Sequence, residues 1–278
     1  MSYLLEPLQY AFMVRALLAS VIVGVLCAVM GTYVVLRGMA FLGDALAHAI
    51  LPGVAVAYLL RGNLLVGATI AALVIAVSIG FFSKRGTIKE DTAIGILFAA
   101  ALALGVALIS SIQTYAVDLS HILFGNVLGV SALDLQLTAG LGLLILLAVL
   151  VLYRPFLIIS FDPILAATLR LRADLLRYVL LVLLALTVVV SLQTVGVGLA
   201  AAMLVTPAAT AYLLTRRLAP MMVLSAALGA LASTLGLYLS YYLNIVSGSA
   251  IVLAATGFFL LAYLFNPRQG VFRRRQTA

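Results

Sequence analysis

The chain has 278 residues, of which 66% are hydrophobic and 9% charged, and its mean hydropathy is +1.30. No water-soluble globule could cover such a chain with polar surface, so the composition requires an integral membrane protein. The formal net charge of +8 falls mostly in loops and a tail, and it implies no nucleic-acid partner.

From the N-terminus, which lacks a cationic segment and a small-residue cleavage site, the first apolar run reads as a retained span. Apolar runs of spanning or near-spanning length cover Phe12 to Leu36, Phe41 to Leu60, Leu64 to Phe82, Ala93 to Ile112 and Leu135 to Tyr153. They continue over Tyr178 to Leu192, Val195 to Leu214, Met221 to Leu243 and Ala250 to Phe265. The pattern predicts an all-α polytopic membrane protein of about eight or nine spans. Gly196, Gly198 and Pro207 interrupt the stretch from Tyr178 to Leu214 and leave its division open. No polar stretch is long enough for a second core, so residues 1–278 read as one transmembrane domain. Cys27 is the chain's lone cysteine, which rules out an internal disulfide or a thiolate metal cage.

Basic residues orient the spans. Lys84, Arg85 and Lys89 mark a loop at about 83–91, and Arg154, Arg170, Arg172 and Arg177 mark one at 154–177. Arg216 and Arg217 mark another at 215–220, and Arg268 with Arg273, Arg274 and Arg275 marks the tail at 267–278. All four are expected on the cytoplasmic side. The connections Gln113 to Asp134 and Asn244 to Ser249 carry no Lys or Arg and are expected outside.

The two histidines each follow an aspartate by one helical turn: Asp44 with His48, and Asp118 with His121. Either spacing puts carboxylate and imidazole on one helix face. A hard oxygen beside a borderline nitrogen suits Mn²⁺, Zn²⁺ or Fe²⁺. An aspartate at mid-membrane costs roughly 2.5–3.5 kcal/mol, so such a pair is expected to face a polar path or a partner. A histidine tied only to its own aspartate is the alternative. For the first pair, the small residues of the run Gly43 to Gly53 favour metal contact. Two donors leave the shell incomplete, so water, carbonyls freed near Pro52 or a symmetric second copy would supply the rest. Asp118 and His121 read equally as a second, outer metal contact or as a cap of a short external helix. Asp134 reads as the cap of the following span, and Glu90 and Asp91 as solvated loop charges. The stretches Ser160 to Leu171 and Thr206 to Arg217 read as cytoplasmic contact surfaces or interfacial helices. With lysines only at positions 84 and 89 and no G-x-x-x-x-G-K-[ST], the chain has no phosphate loop. H-E-x-x-H is missing too, which removes an intramembrane metalloprotease.

Four segments carry a resemblance: GDALAHAILPG from Gly43, DLSHILFGN from Asp118, FDPILAATLRL from Phe161 and VGVGLAAAMLVTPAATAYLLTRR from Val195. Together they resemble the permease subunit of the metal-uptake ABC transporter family, which imports manganese, zinc or iron into bacteria. The stretch LRGMAFLGDALAHAILPG is more similar to the manganese and iron members than to the zinc members. The resemblance implies a type II ABC importer-like permease, a homodimer in the bacterial plasma (inner) membrane, served by a cytoplasmic ATP-binding subunit and an extracytoplasmic metal-binding protein. It implies no enzyme activity in this chain and no resident cofactor, only the transported divalent metal. It also implies that Asp44 and His48 contact that metal, that Asp118 and His121 are candidates for an outer gate, and that Pro207, Thr210, Arg216 and Arg217 lie where the ATPase couples. The segment at Asp162 and Pro163 matches a further cytoplasmic element. The alternative is a proton- or sodium-coupled secondary metal transporter in which Asp44 titrates.

Overall fold

The computed structural model describes residues 6–84, 88–111, 127–161 and 163–265. Among the described residues the regular structure is helical, with no strand. The first span is α1 (Ala11–Leu36), and the second is built from two short helices, α2 (Leu42–Ala49) and α3 (Leu51–Leu59). Then come α4 (Leu64–Ser83), α5 (Glu90–Ser110) and α6 (Ala132–Val151). Two short helices, α7 (Tyr153–Phe161) and α8 (Pro163–Thr168), precede α9 (Ala173–Val195), α10 (Val197–Leu214), α11 (Leu218–Leu243) and α12 (Ser247–Phe265). Eight segments of the described chain are long and apolar enough to cross a membrane, and α10 contributes a further, shorter apolar helix.

Local chemistry sets the ends of these helices. Asn63 starts α4 by accepting the amides of Leu65 and Val66 at 2.9 and 3.3 Å. At α6 the cap is Ser131, whose hydroxyl accepts the Asp134 amide at 3.1 Å while the Asp134 carboxylate accepts the Ser131 amide at 3.2 Å. Asp134 is therefore the second half of a capping box and not the cap itself. Gly196 divides the stretch that the sequence leaves open: at φ 84° and ψ 172° it ends α9 and starts α10. That backbone conformation belongs almost exclusively to glycine. Pro207, by contrast, is absorbed inside α10.

α1 is the hub of the bundle and packs on α11, α10, α6 and α9. Lipid tails are as apolar as leucine, so helices associate here by close approach and by hydrogen bonds between them. Gly24 faces Gly229 and Ser233 of α11, and a methyl on Gly24 would lie 2.9 Å from the Gly229 carbonyl oxygen. Beside this contact Ser233 donates to the Ser20 carbonyl at 2.9 Å and Ser225 to that of Ala28 at 2.8 Å. Two turns beyond Gly24 along α1, Gly31 lies directly on the Leu204 carbonyl of α10, where a methyl would overlap. Gly53 of α3 and Gly67 of α4 cross with the same intimacy, each leaving no room for a methyl on the other.

Charged contacts show which helix ends share a face. Arg37 after α1, Glu90 at the start of α5 and Arg177 in α9 meet, and Lys84 after α4 pairs with Asp174 at 3.2 Å. This face also carries most of the described lysines and arginines outside the helices' middles, and is the one that the positive-inside rule expects in the cytoplasm. Arg15 and Arg61, at the start of α1 and the end of α3, fall at the opposite ends of their spans. Glu90 is not solvated as its sequence context suggests: its side chain is 15% exposed and bonded to both arginines.

The glycine contacts give a stability prediction. Gly31→Ala forces α1 off α10 and should cost about 1–3 kcal/mol, the usual penalty for overpacking. Gly140→Ala, which adds a methyl where nothing lies within 4 Å, should leave the melting temperature unchanged or slightly raised. Thermal unfolding of both variants in the same detergent measures the difference.

Candidate metal translocation site

Asp44 and His48 both lie on α2, a helix of small residues in which Gly43, Ala45, Ala47 and Ala49 are buried. The buried positions, Leu42 and Leu46 included, cover the helix all round except the sector that Asp44 and His48 share one turn apart. The Asp44 and His48 side chains are 44% and 32% exposed in the single chain. His48 Nε2 stands 3.6 Å from Asp44 Oδ1, beyond hydrogen-bond reach. A cation about 2.1 Å from each atom would bridge that gap with little side-chain movement.

Neighbouring helices fix the depth of the pair. The His48 ring lies 6.0 Å from the ring of Phe98 on α5, and Phe98 in turn meets Phe41 edge-on at 5.3 Å. Phe98 is eight residues into α5 and so about 12 Å along the helix from its Glu90 end. Across the other side, Gly43 rests on Leu204, near the middle of α10. The pair therefore sits well inside the apolar layer, between α5 and α10.

The chain breaks just beyond it. α2 stops at Ala49 and α3 restarts at Leu51, with Pro52 in its first turn. Proline has no amide hydrogen to give the carbonyl four residues back, which belongs to His48. That carbonyl instead takes the amide of Ile50. From this break an apolar groove of about 690 Å³ runs between α3, α4 and α5, lined by Ala49, Pro52, Val56, Ile70, Leu97 and Leu104 among others. Among the described residues no three His, Cys, Asp or Glu side chains cluster. Asp44 and His48 are thus brought together as a pair and not as a complete cage.

The other candidates fare differently. Asp118, His121 and Asp162 lie outside the described residues. Pro207 and Thr210 are buried in α10, where Thr210 donates to the Thr206 carbonyl at 2.7 Å. Arg216 and Arg217 are exposed in the short link from α10 to α11. Of the four residues that the sequence suggests for ATPase contact, only these two arginines are available at the surface. Sequence reasoning missed Phe98 as the wall behind His48, because one phenylalanine in an apolar span carries no distinguishing signal.

An all-helical bundle that holds an open polar pair at mid-depth defines the class of multi-pass membrane permeases. The chain belongs to the ABC 3 transport family, which it matches over residues 9–266. It is 47% identical over 269 residues to the manganese transport system membrane protein MntC of Halalkalibacterium halodurans, covering 97% of this chain and 92% of that one. It is 46% identical over 261 residues to the manganese import system permease protein ScaB of Streptococcus parasanguinis, with 94% and 93% covered. Its fold matches the solved structure of PsaBC from Streptococcus pneumoniae in complex with Fab at a TM-score of 0.85, with 40% identity and 99% of both chains covered.

Proposed function

We propose that this chain is the membrane-spanning subunit of an ATP-driven importer for a divalent transition metal, with manganese the first choice of cargo. The observation that carries the reading is the Asp44–His48 pair, set at mid-depth with its donor atoms 3.6 Å apart. Relatives named as manganese transport proteins supply the choice of cation. Family membership in an ABC group argues against the proton- or sodium-coupled alternative.

One chain offers the metal one oxygen and one nitrogen, whereas these cations take four to six ligands. A homodimer that brings two copies of the pair together supplies four protein donors, and water fills the remainder. An incomplete, water-finished shell suits transport, because the ion must shed most of its hydration and still leave. Asp118 and His121 would make an earlier contact on the outer side, receiving the metal from an extracytoplasmic binding protein. Energy must come from a separate ATP-binding subunit, since the chain has no phosphate loop. Arg216 and Arg217 are the exposed cytoplasmic residues best suited to meet it. In this reading residues 1–278 work as one permease domain, and ATP binding beneath it rocks the two copies between outward- and inward-open states.

Asp44→Ala or His48→Ala should abolish manganese accumulation while leaving membrane insertion and dimer formation intact. Elemental analysis of cells lacking other importers checks this, and normal manganese, zinc and iron contents in both variants would refute the site. Imidazole binds metal only when neutral. Manganese affinity of the purified transporter should therefore fall steadily on acidification, and His48→Ala should flatten that dependence. Titration of free Mn²⁺ at a series of pH values measures both.

A further inference from the structure

The Glu90 cluster on the basic face of the bundle is an ion-pair arrangement that the transport reading does not yet use. Arg37 Nη2 donates to both Glu90 carboxylate oxygens, at 3.1 and 3.0 Å. Arg177 donates through Nε to Glu90 Oε1 and through Nη1 to the Ser83 carbonyl at 3.3 Å. One carboxylate thereby ties the turn after α1 and the ends of α4, α5 and α9 into a single knot. The side chains of Arg37, Glu90 and Arg177 are 13%, 15% and 20% exposed. Enclosed ion pairs give back much of their attraction as lost hydration, and their best-attested use is to fix one geometry. The neighbouring Lys84–Asp174 pair is 52% and 56% exposed, the kind of surface contact that contributes little.

The geometry fixed here is that of the metal pair. Arg37 is followed by Gly38 at φ +69° and buried Met39, and this short turn delivers α2 with Asp44 only seven residues beyond Arg37. Glu90 begins α5, the helix whose Phe98 backs His48 and abuts Phe41. A carboxylate at a helix start is also favoured by the exposed amides and dipole there. Gripping Arg37 therefore pins α2 to α5 at the base of the site, and gripping Arg177 anchors both to α9. We propose that Glu90 is a positioning residue for metal binding, holding α2 against α5 so that Asp44 and His48 keep the opening a cation fits. This rests on the metal reading above and adds to it a distant carboxylate that touches no metal.

The test uses the whole transporter, permease with its ATP-binding subunit in nanodiscs, with bound and free Mn²⁺ resolved by electron paramagnetic resonance. Glu90→Gln keeps the side chain's shape but leaves two guanidinium groups facing each other. It should weaken Mn²⁺ binding by up to about 10–100-fold, the range for losing a group bonded directly to a metal ligand, since Glu90 acts one contact further out. Arg37→Gln is the gentler variant, because Glu90 stays paired with Arg177, and it should weaken binding in the same sense. The double variant should bind no more weakly than Glu90→Gln alone, since both act through one contact. Lys84→Gln should bind as the parent does. Parent-like affinity in Arg37→Gln overturns the proposal, even where Glu90→Gln fails to fold. A lowered melting temperature with unchanged affinity overturns it as well, by reducing the knot to a structural one. Should Asp44→Ala also bind Mn²⁺ normally, the metal reading itself falls and takes the proposal with it. Loss of binding in Asp44→Ala with parent-like binding in Arg37→Gln defeats the positioning role alone.

Discussion

Lipid gives helices no hydrophobic reason to prefer one another over the bilayer, so close backbone approach has to hold this bundle together. α1 supplies most of that approach. Its glycines let it lie directly on α10 at Gly31 and on α11 at Gly24. The same residue of α10, Leu204, then receives Gly43 from α2. The depth and orientation of the helix that carries Asp44 and His48 thus follow from a contact between three helices, in which Gly31 meets the Leu204 backbone with no room for a methyl and Gly43 rests on the Leu204 side chain.

Placing an acid and an imidazole in that setting is costly, and the sequence around them limits the cost. Buried residues cover the rest of α2 and leave both polar side chains the open sector. Pro52 ends the helix beyond them, and Phe98 and Phe41 wall them on the side of α5. A single chain leaves both donors partly exposed and the shell unfinished. An isolated structural pair would be expected to close into a hydrogen bond, and these two atoms stay apart.

Charge on the basic face of the bundle divides into two kinds. Arg216 and Arg217 are exposed, and Lys84 is exposed in its surface pair with Asp174, where water, headgroups or another subunit can reach them. Arg37 and Arg177 are drawn inward by one carboxylate. The first kind sets which way the chain lies in the membrane, since orientation depends on lysine and arginine in short loops. The second kind relates helices to each other and is the only charged link, among the described contacts, between the turn leading to α2 and the helix behind His48.

About eight or nine spans, and roughly where each lies, were legible from hydropathy alone, because each must bury about 20 apolar residues across the hydrocarbon. So was the Asp44–His48 pair, since a one-turn spacing fixes a shared helix face whatever the tertiary packing. The division at Gly196 was only half legible: the glycine was visible, but the left-handed backbone that ends one helix and begins the next depends on how α9 and α10 reverse. Glu90 was misread as a solvated charge, because its partners lie 53 and 87 residues away. The sequence by itself determined a membrane bundle in which Asp44 and His48 share one helix face. Only the tertiary structure decided that Phe98 stands behind that face and that Glu90 grips its base, because contacts between helices distant in the chain leave no trace in local spacing.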